Sequence, residues 1–120
     1  MRKGFTLVEI MIVVAIIGII ISIAIPGFLR AREVSRSRAC QENLAKIEGA
    51  KEQYALEGNV DPSTTPQWTS LIGTTLYLKR TPVCPGGGVY SINTLNDVPT
   101  CTYTAPTWLG TDSKFKHQVQ

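Results

Sequence analysis

The chain is short of the residues that most catalytic and metal sites are built from. It has one histidine, His117, and three cysteines in 120 residues. A Ser/His/Asp set is not credible with a single histidine, and no candidate nucleophile has a base beside it. Because His117 lies in a polar tail, we expect a solvated side chain and not a metal ligand. We therefore expect no enzyme, no bound metal and no other cofactor.

Clustered acids and a phosphate-binding loop are also missing. Calcium sites need several oxygen ligands at close spacing, but the candidate acids are far apart in the sequence: Asp61, Asp97 and Asp112. The glycine run Gly86–Gly88 lacks the Gly-Lys-Ser/Thr ending of a nucleotide-binding loop, and no strand leads into it. These gaps argue against a calcium site and against nucleotide binding.

Charge is absent from one long stretch near the N-terminus. From Phe5 to Leu29 the only charged residue is Glu9. As a helix this stretch would be roughly 37 Å long, enough to cross the roughly 30 Å hydrocarbon core of a bilayer. A carboxylate inside such a helix is costly and usually has both a partner and a function. Its near neighbours in the helix cannot neutralise it, so we look for the partner on another molecule.

Three interpretations of this stretch compete. A cleaved secretory signal would carry Glu9 inside its apolar region and would place Pro26 just beyond a cut near Ala24. A plain single-pass anchor would leave Glu9 unexplained. The third follows from Gly4-Phe5-Thr-Leu-Val-Glu9, directly after Arg2 and Lys3 and before the apolar run. This segment resembles the processing site of type IV prepilins and of the pseudopilins of type II secretion, and we favour it.

The resemblance implies roles for several residues. In this family a membrane-embedded peptidase cuts after the glycine and methylates the new N-terminus, here between Gly4 and Phe5. Glu9 would then pair with the Phe5 ammonium of a neighbouring subunit, since a buried carboxylate is best stabilised by a fixed cation. Gly18 and Pro26 also match the family, in whose filaments the helix is often unwound between these two positions.

Beyond Pro26 the pattern becomes amphipathic. An apolar stripe at helical spacing follows, made of Cys40, Leu44, Ile47, Ala50 and Tyr54. Gly58-Asn59 is a usual helix ending. We therefore predict one helix from about Thr6 to Glu57, whose second half packs a small domain against the stripe.

The remaining residues predict a small head with a β-hairpin. A short helix is expected at residues 67–72, and strands at 88–92 and 100–104. Residues 76–78 are a candidate third strand of the same sheet. The polar tail from Thr111 is expected to be frayed.

The odd number of cysteines leaves three possible disulfide pairings. We favour Cys84–Cys101, because both residues flank the predicted hairpin and closing a short loop stabilises a small domain by roughly 3 kcal/mol. The block Cys84-Pro-x-Gly-Gly-x-Tyr90 with Pro99-x-Cys101 also resembles the C-terminal part of some bacterial pilin-like proteins, in which a disulfide closes the last loop of the head. Cys40 is then expected to be a buried free thiol.

Four arginines follow the apolar run: Arg30, Arg32, Arg36 and Arg38. Without interleaved aromatic residues they are a poor nucleic-acid signature, and we expect contacts with lipid head groups and neighbouring subunits. Counted alone, they would place the C-terminal domain in the cytoplasm. The resemblance instead keeps the leader in the cytoplasm and the head in the periplasm, which also suits a disulfide.

Together these observations predict an α+β chain in four parts. Residues 1–4 are a leader, 5–29 a transmembrane or filament-core helix, 30–58 its amphipathic half, and 59–120 a globular head with a disulfide-closed loop. The expected function is a structural subunit of a type IV pilus-like filament, with a type II secretion pseudopilin as the alternative.

A non-polymerising, membrane-anchored binding domain is the alternative from another class. For the filament subunit, the expected partners are further copies of the chain in a helical filament, the prepilin peptidase and methyltransferase, the inner-membrane assembly machinery and the membrane. The expected location is the bacterial inner membrane before assembly, and a periplasmic or cell-surface filament afterwards.

Overall fold

The structure is a computed structural model and describes residues 3–110, 112 and 115–118 of the chain. Its elements in chain order are helix α1 (Leu7–Gly58), helix α2 (Trp68–Leu71), strand β1 (Tyr90–Ser91), strand β2 (Thr100–Cys101) and a 3-10 helix (Thr107–Leu109). The predicted α+β class is confirmed, with one long N-terminal helix and a small antiparallel sheet.

The chain divides into two compact units, Met1–Arg32 and Glu33–Gln120. In the first unit, every described residue from Lys3 to Arg32 is exposed. The start of α1 is stabilised locally: the Glu9 backbone N–H donates to Thr6 Oγ1 at 3.3 Å, and the Thr6 backbone N–H donates to Glu9 Oε2 at 2.8 Å. This reciprocal pair is a capping box, which satisfies two otherwise unpaired backbone donors.

The second unit, Glu33–Gln120, is called the head from here on, and within it the residues after α1 pack on the predicted stripe. Cys40, Leu44, Ile47 and Ala50 are at most 2% exposed, and Tyr54 is half-buried. After Gly58, Asn59 adopts a left-handed backbone with φ of 46°, a conformation that asparagine tolerates better than most residues. The predicted helix ending is confirmed to within one residue.

The hairpin is confirmed, although it is shorter than predicted. β1 and β2 are antiparallel, with Tyr90 opposite Cys101 and Ser91 opposite Thr100. The candidate third strand is wrong for this sheet. Leu78 instead forms an isolated parallel bridge with Ile72.

A cluster of buried residues in the head joins α1 to the hairpin. Its buried members are Cys40, Leu44, Ile47, Cys84, Tyr90 and Cys101, and Trp68, Leu78 and Tyr103 pack against them. All three cysteines are therefore core residues. Burial of this apolar surface is the main term that stabilises so small a unit.

The described part of the C-terminal tail is not frayed, contrary to prediction. Phe115 is 8% exposed and His117 is 1% exposed. Two side chains of α1 hold this segment through one carbonyl: Ser37 Oγ donates to Lys116 O at 2.8 Å, and Gln41 Nε2 donates to it at 3.1 Å. The rest of the predicted tail, residues 111, 113–114 and 119–120, lies outside the described residues.

Candidate functional site

The first candidate site is the start of α1. Phe5 is 87% exposed, and the Glu9 carboxylate accepts hydrogen bonds from the Thr6 backbone N–H and from Thr6 Oγ1, both at 2.8 Å. The capping box thus fixes the carboxylate close to the predicted cleavage point. Pairing of Glu9 with the Phe5 terminus of another chain stays a prediction.

The apolar side chains of α1 that follow Glu9 are exposed. Every large apolar side chain from Phe5 to Leu29 is at least 38% exposed. α1 is long and apolar enough to cross a membrane, and none of its most apolar part is buried. Gly18 and Pro26 both lie within α1, so unwinding between them in a filament also stays a prediction. This surface needs a lipid or protein environment.

The second candidate site is a buried cluster in the head. It brings together Cys40 of α1, Cys84 of the loop before β1, Cys101 of β2 and His117 of the tail. One sulfur or ring nitrogen from each residue lies within 4.8 Å of all the others. None of the four residues is more than 8% exposed. We call these four residues the thiol–imidazole cluster.

The predicted Cys84–Cys101 disulfide is not confirmed, because all three cysteines are free thiols. The prediction did not include Cys40 or His117, whereas tertiary packing brings the Cys40 sulfur and the His117 imidazole within 4.8 Å of the other two sulfurs. A disulfide would need two of these sulfurs to approach to about 2.05 Å. Cys40 is buried, as expected.

The glycine loop between Cys84 and β1 is shaped by the cluster. Its turn closes with a hydrogen bond from the Gly87 N–H to Cys84 O at 3.0 Å, and Gly87 has φ of 92°. A Cβ at Gly88 would lie 2.7 Å from Cys101 Sγ and 2.7 Å from the Tyr103 backbone nitrogen. Gly88 therefore lets the loop approach β2 more closely than any side chain would allow.

Burial and backbone hydrogen bonds act in opposite directions on the three thiols. Burial raises the pKa of Cys40 to about 12, because a thiolate is poorly solvated there. Burial also raises the pKa of Cys101. Burial acts the same way on Cys84, but hydrogen bonds from the Gly86 and Gly88 backbones and from neighbouring side chains outweigh it, so the pKa of Cys84 is lowered.

His117 lies between the thiols and a carboxylate. Its Nδ1 is 3.4 Å from Cys84 Sγ, and its Nε2 is 3.9 Å from Glu33 Oε1. The buried Nε2 has no hydrogen-bond partner among the described residues. The Tyr103 ring lies against the His117 ring at a centroid distance of 4.1 Å, tilted by 41°, and the Tyr103 hydroxyl donates its hydrogen to Glu33 Oε1. Burial lowers the pKa of His117, which favours the neutral ring.

The comparisons with known proteins bear on the first candidate site. Residues 1–25 match the prokaryotic N-terminal methylation motif. Type II secretion system core protein G of Escherichia coli (strain K12) is 31% identical over 101 residues, which cover 74% of this chain and 70% of that protein. The chain belongs to the type IV pilin and type II secretion pseudopilin family. The predicted resemblance is confirmed, and this pilin-like chain is a filament subunit with a prepilin-type N-terminus.

Other relatives show how far the similarity extends. Core protein G of Vibrio cholerae is 32% identical over 103 residues, which cover 75% of this chain and 70% of that protein. Type IV major pilin protein PilA of Myxococcus xanthus is 44% identical over 56 residues, which cover 47% of this chain and 26% of that protein. No solved structure gives a significant match.

The prediction for His117 was wrong: the side chain is buried in this pilin-like head and is not solvated. Sequence position suggested a free tail, and no apolar pattern around residue 117 signals burial. One signal was available in the composition. Three cysteines and one histidine together make a complete donor set for a tetrahedral metal site, although their spacing matches no short motif.

Proposed function

We propose that this chain is a structural subunit of a type IV pilus-like filament, cut between Gly4 and Phe5 and assembled through α1. The observation that carries the proposal is the exposed apolar surface from Phe5 to Leu29, directly after a prepilin-type cleavage motif. Burying one large apolar side chain contributes about 1.5–3 kcal/mol. A lipid bilayer covers this surface before assembly, and the helices of neighbouring copies cover it afterwards.

Glu9 sets the axial register in this proposal. The capping box holds its carboxylate near the position where cleavage creates a new amine. In a filament, the methylated Phe5 ammonium of a neighbouring copy replaces solvent at this carboxylate. An ion pair is strengthened in a low-dielectric helical core, and removal of one partner leaves the other buried and unpaired.

The membrane orientation and the partners follow from the same assembly. The leader remains in the cytoplasm and the head lies in the periplasm, so the inner-membrane assembly machinery meets the subunit at the membrane. The prepilin peptidase removes residues 1–4 and methylates Phe5. Gly18 and Pro26 weaken the helix, which favours local unwinding when the copies pack.

A pseudopilus is a second candidate, and the extent of similarity favours it. The relatives named core protein G align with about three quarters of this chain, including much of the head, whereas PilA aligns with 56 residues. The head disulfide predicted from the resemblance to some bacterial pilin-like proteins is also not confirmed. A pseudopilus subunit uses α1 and Glu9 in the same way but forms a short periplasmic fibre.

N-terminal mass spectrometry of the chain purified from the membrane of a bacterium with a prepilin peptidase tests the proposal. We expect a mature chain that begins at Phe5 with one added methyl group, and a Gly4→Leu variant that keeps residues 1–4. An intact Met1 in the native chain, or a cut after Ala24, would favour a membrane-anchored binding domain that does not polymerise. Electron microscopy of cells then distinguishes long surface pili from a pseudopilus.

A further inference from the structure

We propose that the thiol–imidazole cluster is a structural zinc site, in which the sulfurs of Cys40, Cys84 and Cys101 and Nδ1 of His117 bind one Zn²⁺ ion. The proposal concerns the head alone and goes beyond the proposed function, which needs no metal. It also reverses the expectation, drawn from the sequence, of a chain without a metal site.

The distances suit one ion. Tetrahedral zinc with Zn–S near 2.3 Å and Zn–N near 2.0–2.1 Å places its ligand atoms about 3.6–3.8 Å apart. Here Cys84 Sγ and His117 Nδ1 are already 3.4 Å apart, and all pairs are within 4.8 Å. Side-chain rotations that move the atoms by about 1 Å would close the site, whereas an iron–sulfur cluster needs more room between its cysteines.

The chemistry of the donors selects the metal. Thiolates and a neutral imidazole are soft or intermediate ligands that suit zinc, while calcium and magnesium require oxygen ligands. Four protein ligands complete the tetrahedron and leave no open position for water or substrate. This combination is typical of structural zinc sites and not of catalytic ones.

The surroundings of the cluster resemble the outer shell of a metal site. Histidine ligands usually donate their second ring N–H to a carboxylate, which fixes the tautomer and the ring orientation. If Nδ1 binds the metal, Nε2 carries the hydrogen and points toward Glu33 Oε1 at 3.9 Å. The same carboxylate oxygen accepts the Tyr103 hydroxyl, so Glu33 is itself held in place.

An ion in the cluster would link segments of the head that are distant in the sequence. Its four residues come from α1, the loop before β1, β2 and the C-terminal tail, and are separated by as many as 77 positions in the sequence. A unit of this size buries a modest fraction of its surface, so a metal that joins its segments adds substantially to its stability. Zinc would therefore stabilise the head in place of the disulfide predicted from the sequence.

Metal analysis of the full chain in detergent, purified under reducing conditions and saturated with zinc, tests the proposal. We expect one Zn²⁺ per chain after removal of excess metal. Substitution with Co²⁺ should give the absorption of tetrahedral cobalt with sulfur-to-cobalt charge transfer. Chelation should lower the melting temperature of the head, and added zinc should restore it.

Variants distinguish a built site from loose binding to thiols. Cys40→Ser and His117→Gln should each weaken zinc affinity by at least about tenfold and change the cobalt spectrum. Glu33→Gln, which removes only the carboxylate behind the histidine, should weaken affinity by about 10- to 100-fold. Ile47→Val is the matched control, because Ile47 packs in the same core and has no polar side-chain atom, and this variant should bind zinc as the native chain does.

Two results would overturn the proposal. One is zinc binding by native chain and His117→Gln with equal affinity and the same cobalt spectrum. The other is a metal-free native chain that carries a Cys84–Cys101 disulfide when isolated and binds no stoichiometric zinc after reduction. Because Cys40→Ser can destabilise the core by itself, His117→Gln and Glu33→Gln carry the decision. Leader cleavage and filament assembly do not enter either measurement.

Discussion

The two units of this chain obtain their structure in different ways. In Met1–Arg32 every described residue is exposed, so α1 is held there by its own backbone hydrogen bonds and its cap. In Glu33–Gln120 the same helix is buried along one stripe against residues that are distant in sequence. The first unit therefore depends on an environment outside the chain, whereas the second contains its own core.

The comparison predicts that substitutions in the first unit change assembly and that substitutions in the second change stability. Glu9→Gln gives the largest expected effect: insertion and cleavage continue, yet few or no filaments form, because the amine of the neighbouring copy loses its charged partner. Filament yield by electron microscopy and head melting temperature are the measurements.

The matched control for this prediction is Glu42→Gln, an exposed acid on the other half of α1, which should leave filament yield unchanged. Normal filament yield from Glu9→Gln would refute the pairing. A fall in head melting temperature would show instead that the two units are not independent.

Leu44→Ala tests the core of the second unit. Leu44 is 0% exposed, so truncation leaves a cavity and should lower the free energy of unfolding by about 2–5 kcal/mol. Leu56 lies on the same helix but is 83% exposed. Leu56→Ala should therefore change the free energy of unfolding by about 0.5 kcal/mol at most. Denaturant unfolding of the full chain in detergent measures both. Equal changes in the free energy of unfolding for the two variants would mean that the stripe does not form part of the core.

Gly88→Ala tests the close approach of the glycine loop to β2. The added methyl group would lie 2.7 Å from backbone and side-chain atoms of Tyr103 and from Cys101 Sγ, and overpacking of this kind costs about 1–3 kcal/mol. Gly49→Ala is the control, since its Cβ would contact nothing within 4 Å. It should stabilise α1 by about 0.5–1 kcal/mol. Melting temperatures that both rise or both fall relative to the native chain would contradict this prediction.

The smallest effect is expected at the exposed pair of Lys46 and Glu42, whose Nζ–Oε1 distance is 2.8 Å. The hydrogen bond from Lys46 lowers the pKa of Glu42. A lowered carboxyl pKa contributes stability above the unfolded pKa and loses it as the pH falls through the folded pKa. Glu42→Gln should therefore lower the melting temperature slightly at neutral pH. A difference that persists in strong acid or high salt would exclude this ion pair as its cause.

Sequence patterns predicted α1 well because its backbone hydrogen bonds join residues only four positions apart. The helical spacing of the apolar residues from Cys40 to Ala50 also indicates which face of α1 is buried. The hairpin was predictable for the same reason, since β1 and β2 are neighbours in the chain. The bridge between Leu78 and Ile72 was missed because the sequence of a short apolar segment does not show which residues that segment will pair with.

The buried polar residues of the head could not be predicted in the same way. Lys51 is 1% exposed, with Nζ 3.2 Å from Glu48 Oε2 and a further hydrogen bond to the carbonyl of Asp97. A lysine in a helix with nearby acids ordinarily indicates a solvated face. Its burial depends on where the loop after β1 lies, and that loop is 46 residues away.

The long helix, its apolar half and its prepilin-type start can be read from residue order alone, because residue order along a helix sets both its faces and its cap. The meeting of Cys40, Cys84, Cys101 and His117 follows from tertiary packing. Contacts between residues tens of positions apart depend on how helix, hairpin and tail pack together, and no local period encodes that packing.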